Sequence, residues 1–138
     1  MREILFRGKR TFNGEWVEGY YVHLTNESIN KHRIYTDYVE TDFGELTTHY
    51  EVAPDTVGQY TGLTDKNGVR IFEGDVVSYN NSLHEVVFVH KYGNAYFGIV
   101  FEDRLEIWPF SPSVPASIML VIGNIHDNPE LLGGGGDE

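Results

Sequence analysis

Cysteine is absent from the 138 residues. That excludes disulfides, thiolate catalysis and Cys-ligated zinc or iron–sulfur centres. Basic residues are scarce: ten Lys and Arg stand against 21 Asp and Glu, for a formal charge of −11. Nonspecific nucleic-acid binding draws its affinity from Lys and Arg on phosphates, so the bulk composition disfavours it. No stretch approaches ~20 consecutive apolar residues, the length a membrane helix needs, and no membrane partner is expected. The opening MREILFRGKR carries bases with no apolar run behind them, so it does not read as a secretory signal. A soluble, cytoplasmic setting is the expectation, and a reducing compartment suits a chain without Cys.

Familiar catalytic signatures are missing too. There is no phosphate-binding G-x-x-x-x-G-K-[ST], no H-E-x-x-H and no G-x-S-x-G. The terminal Gly run at 133–136 is followed by Asp137 and Glu138, not by a Lys or a helix, so it is no phosphate cradle. The sequence implies no cofactor.

What is present points to a β protein. Hydrophobic residues make up 41% and aromatics 14%, which excludes a wholly disordered chain. The length suits one domain. Gly and Pro, 15 and 5 residues, interrupt most windows that a long helix would need. The longest uninterrupted window, 20–43, is rich in Tyr, Val, Ile and Thr and lacks helical apolar spacing. Period-two segments occur at 16–24, 33–39, 56–61, 75–79, 83–90, 95–102, 104–110 and 119–125. Turn signals punctuate them: Asn13-Gly14, Asn67-Gly68, Asn80-Asn81-Ser82 and Tyr92-Gly93-Asn94. Residues 111–115 read as a loop, because alternate prolines remove ladder donors. Asn128-Pro129 opens one helical turn, with Asn128 as its cap.

The expected fold is all-β with very little helix. Residues 1–132 form one β domain: N-terminal strands over 1–57, a small SH3-like barrel over 58–125 and a capping turn at 126–132. A flexible Gly-rich acidic tail follows at 133–138.

Candidate chemistry is sparse. The six His, at 23, 32, 49, 84, 90 and 126, include no pair at helical i, i+4 spacing. His84 and His90 lie about 20 Å apart along a strand, too far to share an ion. They read as surface or partly buried side chains, and no metal site is expected. Glu73 and Asp75 point the same way in a strand and offer a carboxylate pair for acid–base work. The simpler reading of Asp75 is an acceptor for turn N–H groups at a strand start. Residues 124–129 collect polar groups that either fix a turn or form a ligand rim. Trp16, Trp108 and the nine Tyr supply core, or a binding face. Charge is uneven: Arg2, Arg7, Lys9 and Arg10 are four of the ten bases, while 34–65 holds seven acids and no base.

Five stretches resemble one family: MREILFRGKR; Asn13-Gly14-Glu15-Trp16-Val17-Glu18-Gly19; Val57-Gly58-Gln59-Tyr60-Thr61-Gly62-Leu63-Thr64-Asp65-Lys66-Asn67-Gly68; Ile71-Phe72-Glu73-Gly74-Asp75-Val76-Val77; and Val121-Ile122-Gly123-Asn124-Ile125-His126-Asp127-Asn128-Pro129-Glu130-Leu131-Leu132. They are similar to the YopX family of bacteriophage and prophage proteins. The resemblance implies a mainly β fold and a setting in the host cytoplasm, and it supplies no catalytic residue. It casts Asn67-Gly68 as a hairpin turn, Gly74-Asp75 as a strand start and Asn128-Pro129 as a cap.

Three functional readings follow. The favoured one is a non-enzymatic accessory protein that binds a protein partner or itself. Its candidate surface is Arg2, Arg7, Lys9, Arg10, Tyr60, Trp108 and His126. The second is an enzyme or small-ligand site built on a carboxylate cluster. The third is nucleic-acid binding through the basic N-terminal strand.

Overall fold

The computed structural model describes residues 3–42, 44–101 and 105–132. Arg2 and the 133–138 tail lie outside them, as do the ends of the segments expected at 95–102 and 104–110 that meet at 102–104. The chain divides into two compact units, 1–60 and 61–138. Both are built from antiparallel strands, so the fold is mainly β.

In the N-terminal unit, β1 (Phe6–Lys9), β2 (Trp16–Thr25), β3 (Asn30–Thr41) and β4 (Gly44–Glu51) form a meander. The first residues of β5 (Gly58–Thr64) pair with the other side of β1, placing Gly58 opposite Arg7. The Asn13-Gly14 turn forms as its residues demand: Gly14 takes φ +74°, and Asn13 Oδ1 accepts the Glu15 N–H at 3.0 Å. Asn26 does similar work between β2 and β3, accepting the N–H groups of Ser28 and Ile29 at 2.7 and 2.9 Å.

This sheet curls. Arg10 forms an isolated bridge with Val52. The Thr11 N–H reaches the Glu51 carbonyl at 3.0 Å, and the Ala53 N–H reaches the Lys9 carbonyl at 2.9 Å. A bulge between Tyr35 and Asp37 adds to the bend. Gly19 makes the close approach possible, since a Cβ there would collide with the Tyr35 carbonyl oxygen and touch Ile34. Ile34 and Val52 fill the inside and are almost fully buried. The rings of Phe6 and Tyr21 pack beside each other at 5.7 Å.

In the C-terminal unit, the end of β5 meets β6 (Arg70–Phe72) through a turn at Asn67-Gly68, with Gly68 at φ +81°. β7 (Asp75–Tyr79), β8 (Ser82–Lys91), β9 (Asn94–Phe101) and β10 (Glu106–Pro109) make a second meander. β11 (Leu120–Asn124) returns to pair antiparallel with β7, giving the order β10-β9-β8-β7-β11. Ile71, Val77, Val86, Ile99 and Met119 form a fully buried core.

The expected SH3-like barrel is corrected to an open sheet. β10 and β11 remain its two end strands. The chain between them is turned by a Ser111–Val114 bridge and a 3-10 turn at Ala116–Ile118. Pro112 and Pro115 in that link have no N–H to give a ladder, so it cannot act as the closing strand.

Asp65 is the main polar fastener of this unit. Its Oδ1 accepts the N–H groups of Asn67 and Val69 at 2.8 and 2.9 Å, and its Oδ2 accepts that of Val121 at 2.9 Å. One carboxylate therefore holds both a local turn and the distant strand β11. Burial by itself would raise the Asp65 pKa, but these three N–H bonds outweigh it and hold the carboxyl below its usual range.

Strand limits differ from expectation at several points: β3 is longer, Asn30–Thr41, and β10 shorter, Glu106–Pro109. Strand β5 begins at Gly58, because Pro54 opens a 3-10 turn that takes in Thr56. The Thr56 hydroxyl accepts the Lys9 N–H at 2.9 Å and donates to the Ala53 carbonyl at 2.6 Å.

Candidate functional site

The basic residues of the N-terminal strand divide into two settings. Arg7 and Lys9 on β1 face Glu18 and Trp16 of β2 across the ladder. The Arg7 guanidinium lies 4.7 Å from the Trp16 ring centre, and the Lys9 ammonium lies 5.7 Å from it. Both distances suit cation–π attraction. Arg10 sits one residue further, where β1 has ended and the chain crosses beside Val52. Its guanidinium lies 4.2 Å from the Tyr50 ring and 5.6 Å from that of Phe12.

Beside Arg10 the N-terminal unit has a cavity of about 460 Å³, lined by Arg10, Phe12, Lys31, Arg33, Tyr50 and Glu51 together with Thr11 and His49. The β3–β4 ladder explains this company. Arg33 stands opposite Glu51, and Tyr35 opposite His49. Lys31 and Arg33, two apart on one strand, share a face. The Glu51 carboxylate pairs with Lys31 at 3.1 Å. Arg33 is left with a long 3.5 Å contact from Nη1 to the Tyr35 hydroxyl. Arg10 has Glu15 at 3.7 Å, a carboxylate with 70% of its side chain in solvent. The Nε atoms of Arg10 and Arg33 are buried without a hydrogen-bond partner among the described residues. Such a donor pays its full desolvation cost.

The other candidates occupy structural places. Tyr60 is buried, 7% exposed, and its N–H binds the Leu5 carbonyl at 2.7 Å. Trp108 is half-buried on β10 against Phe101, ring centres 4.5 Å apart, with its indole N–H on the Glu106 carboxylate at 3.0 Å. The His126 N–H binds Asn124 Oδ1 at 2.9 Å within the turn after β11. Asn128 Oδ1 accepts the Asn124 N–H at 3.3 Å, so this side chain points back to the strand. The polar residues at 124–128 thus bond to one another around the turn.

Two further constellations bear on chemistry. Asp75 is 1% exposed, and its Oδ2 accepts the Phe72 N–H at 2.7 Å, the strand-start role that its position suggests. Ser82 Oγ lies 3.0 Å from His84 Nε2, and His84 Nδ1 lies 2.8 Å from the Val100 carbonyl oxygen. With Nδ1–H donating to that carbonyl, Nε2 is the acceptor for the Ser82 hydroxyl. The Tyr79 carbonyl, 3.2 Å from the same hydroxyl, competes for its single proton, and His84 is packed 4.4 Å from the Phe101 ring. The pair closes a hairpin. Elsewhere, His23 and His32 stack at 4.0 Å, and the Tyr21 hydroxyl meets His32 Nδ1 at 2.6 Å. Burial raises the Tyr21 phenol above its usual pKa. Among the described residues no three His, Asp or Glu side chains gather at metal-binding spacing, and no helix is long and apolar enough to cross a membrane.

Sequence reasoning found Arg7, Lys9 and Arg10 but missed Lys31, Arg33, His49 and Tyr50. The alternation Lys31-His32-Arg33 in a strand-like window was the available signal. It gave no hint that Arg10 would come to the same cavity, because that depends on the curl of the sheet.

The features together define a small antiparallel β protein with an Arg- and aromatic-rich seam in its N-terminal unit. The chain belongs to the YopX protein family, a phage- and prophage-associated family whose model matches residues 5–133. It is similar to a solved structure, protein EF1440 from Enterococcus faecalis, at 29% identity and a TM-score of 0.61, over 96% of this chain and 100% of that one. No curated protein matches the sequence.

Proposed function

We propose that this YopX-family chain is a non-enzymatic accessory protein that works in the bacterial host cytoplasm as a protein-interaction module. The N-terminal unit makes the contact, through Arg7, Lys9, Arg10, Lys31 and Arg33. One observation carries the reading: three of these cations line one cavity beside Tyr50 and Phe12, in a chain of charge −11. Arg and aromatic side chains dominate binding hot spots. Against them, the buried Asp75 and the hairpin-closing Ser82–His84 pair have local structural partners.

The test is affinity capture from phage-infected host lysate with wild type and with Lys9→Ser/Arg10→Ser, alongside light scattering at low and high salt for self-association. The wild type should retain a protein partner, or self-associate, and the variant should lose it. Nuclease treatment of the lysate should leave capture unchanged. Identical capture by both proteins, with a monomer at every salt concentration, would remove the proposal. Loss of capture on nuclease treatment would transfer the seam to nucleic acid.

A further inference from the structure

We infer that the cavity lined by Arg10, Lys31 and Arg33 binds a carboxylate of an acidic peptide segment. The inference deepens the interaction reading above, on which it rests, by naming the chemistry of the partner.

Charge in the cavity is only partly matched. Three cations line the cavity, and Glu51 is the one acidic side chain among its lining residues. Glu51 is engaged with Lys31 at 3.1 Å. Arg10 has a distant and largely solvated Glu15, and Arg33 has a neutral hydroxyl at 3.5 Å. Both guanidinium groups bury their Nε atoms without a hydrogen-bond partner among the described residues. A buried guanidinium is stable when an anion meets its planar fork, and a carboxylate does so with two parallel bonds. Both arginines line the cavity with no anion within hydrogen-bond distance among the described residues.

Carboxylate and phosphate both meet a guanidinium fork, and it is size that favours a carboxylate carried on a peptide over free phosphate. The volume of about 460 Å³ is of the size that takes a side chain with its flanking backbone. The Tyr50 ring, 4.2 Å from the Arg10 guanidinium, limits its freedom, so less is lost on binding.

The experiment is a proton–nitrogen NMR titration of the full chain, reading the side-chain Nε–H signals of Arg10 and Arg33. The probes are a terminally blocked tetra-glutamate peptide, its tetra-glutamine counterpart and inorganic phosphate. Tetra-glutamate should move both signals and bind at least about tenfold more tightly than either other probe, the ratio expected from one charge-assisted bond. Arg33→Gln should weaken binding about tenfold. Arg33→Lys keeps the charge without the fork and should weaken it several-fold, which preserves the test where the Gln variant fails to fold. Tyr20→Ser, outside the cavity lining, should bind as wild type does. Equal binding of the Glu and Gln peptides overturns the inference, as does tighter binding of phosphate or an unchanged affinity in folded Arg33→Gln. Peptide failure with intact lysate capture removes this inference and leaves the interaction reading standing. Peptide binding without any captured partner does the reverse.

Discussion

The two units of this protein use their residues differently. In the N-terminal unit, three described apolar side chains are buried, Ile34, Val52 and Tyr60. Much of the remaining side-chain packing there sets cations over rings: Arg7 and Lys9 on Trp16, Arg10 on Tyr50 and Phe12. In the C-terminal unit, a cluster from Ile71 to Met119 excludes water, and its buried polar groups bond to backbone. Apolar burial contributes to stability without any partner. Half-buried guanidinium groups contribute little until an anion completes them. The contrast separates a unit packed around an apolar cluster from one packed largely by cations over rings.

The sharpest way to break that contrast is core truncation. Ile99→Ala removes a fully buried side chain from the larger core and should cost about 4 kcal/mol in denaturant unfolding, toward the upper part of the usual range. Ile34→Ala, equally buried, should cost nearer ~3 kcal/mol, because the half-buried Tyr21 opposite it in the ladder has room to relax into the gap. A larger loss at Ile34 than at Ile99 would reverse the comparison.

Next in size is Asp65. Asp65→Ala strands three backbone N–H groups and should cost on the order of 3 kcal/mol. The same residue predicts a pH dependence. Its folded pKa is depressed, so its contribution is complete above the unfolded value near ~4 and is lost as pH falls through the lower folded value. Thermal melts of the wild type should decline below about pH 4 more steeply than those of Asp65→Ala. Parallel curves would show that other carboxylates govern acid unfolding.

The smallest effect is expected at Tyr20, which is 68% exposed on β2. Tyr20→Ser should change stability by no more than about 0.5 kcal/mol. A larger change, measured by the same unfolding assay, would mean that this exposed ring supports the N-terminal sheet after all.

Much of the fold was legible because its signals are local. Alternation over 16–24 and 33–39 matches β2 and β3, and Asn13-Gly14 and Asn67-Gly68 turn where their positive φ preference places them. The missed strands β4 and β6 have weaker local marks. β4 is Gly-Glu-Leu-Thr-Thr-His-Tyr-Glu with no sustained apolar alternation, and β6 has three residues. Their pairing comes from neighbours that were already in place. Tyr60 read as a surface candidate because an aromatic residue looks the same in a core and in a binding face, and only its burial in β5 separates the two.

By itself the sequence determined the β class, the main hairpin turns, the absence of thiol chemistry and the gathering of bases near the N-terminus. Each is a property of composition or of residues a few positions apart. Tertiary structure alone decided that Arg10 and Arg33, 23 positions apart, line one cavity, and that Asp65 holds Val121 across 56 positions. It also decided that the second sheet stays open. The physical reason is common to all three. Curl, register and closure depend on where a strand finds its partner, and that is set by the whole ladder and its bulges rather than by any short run of residues.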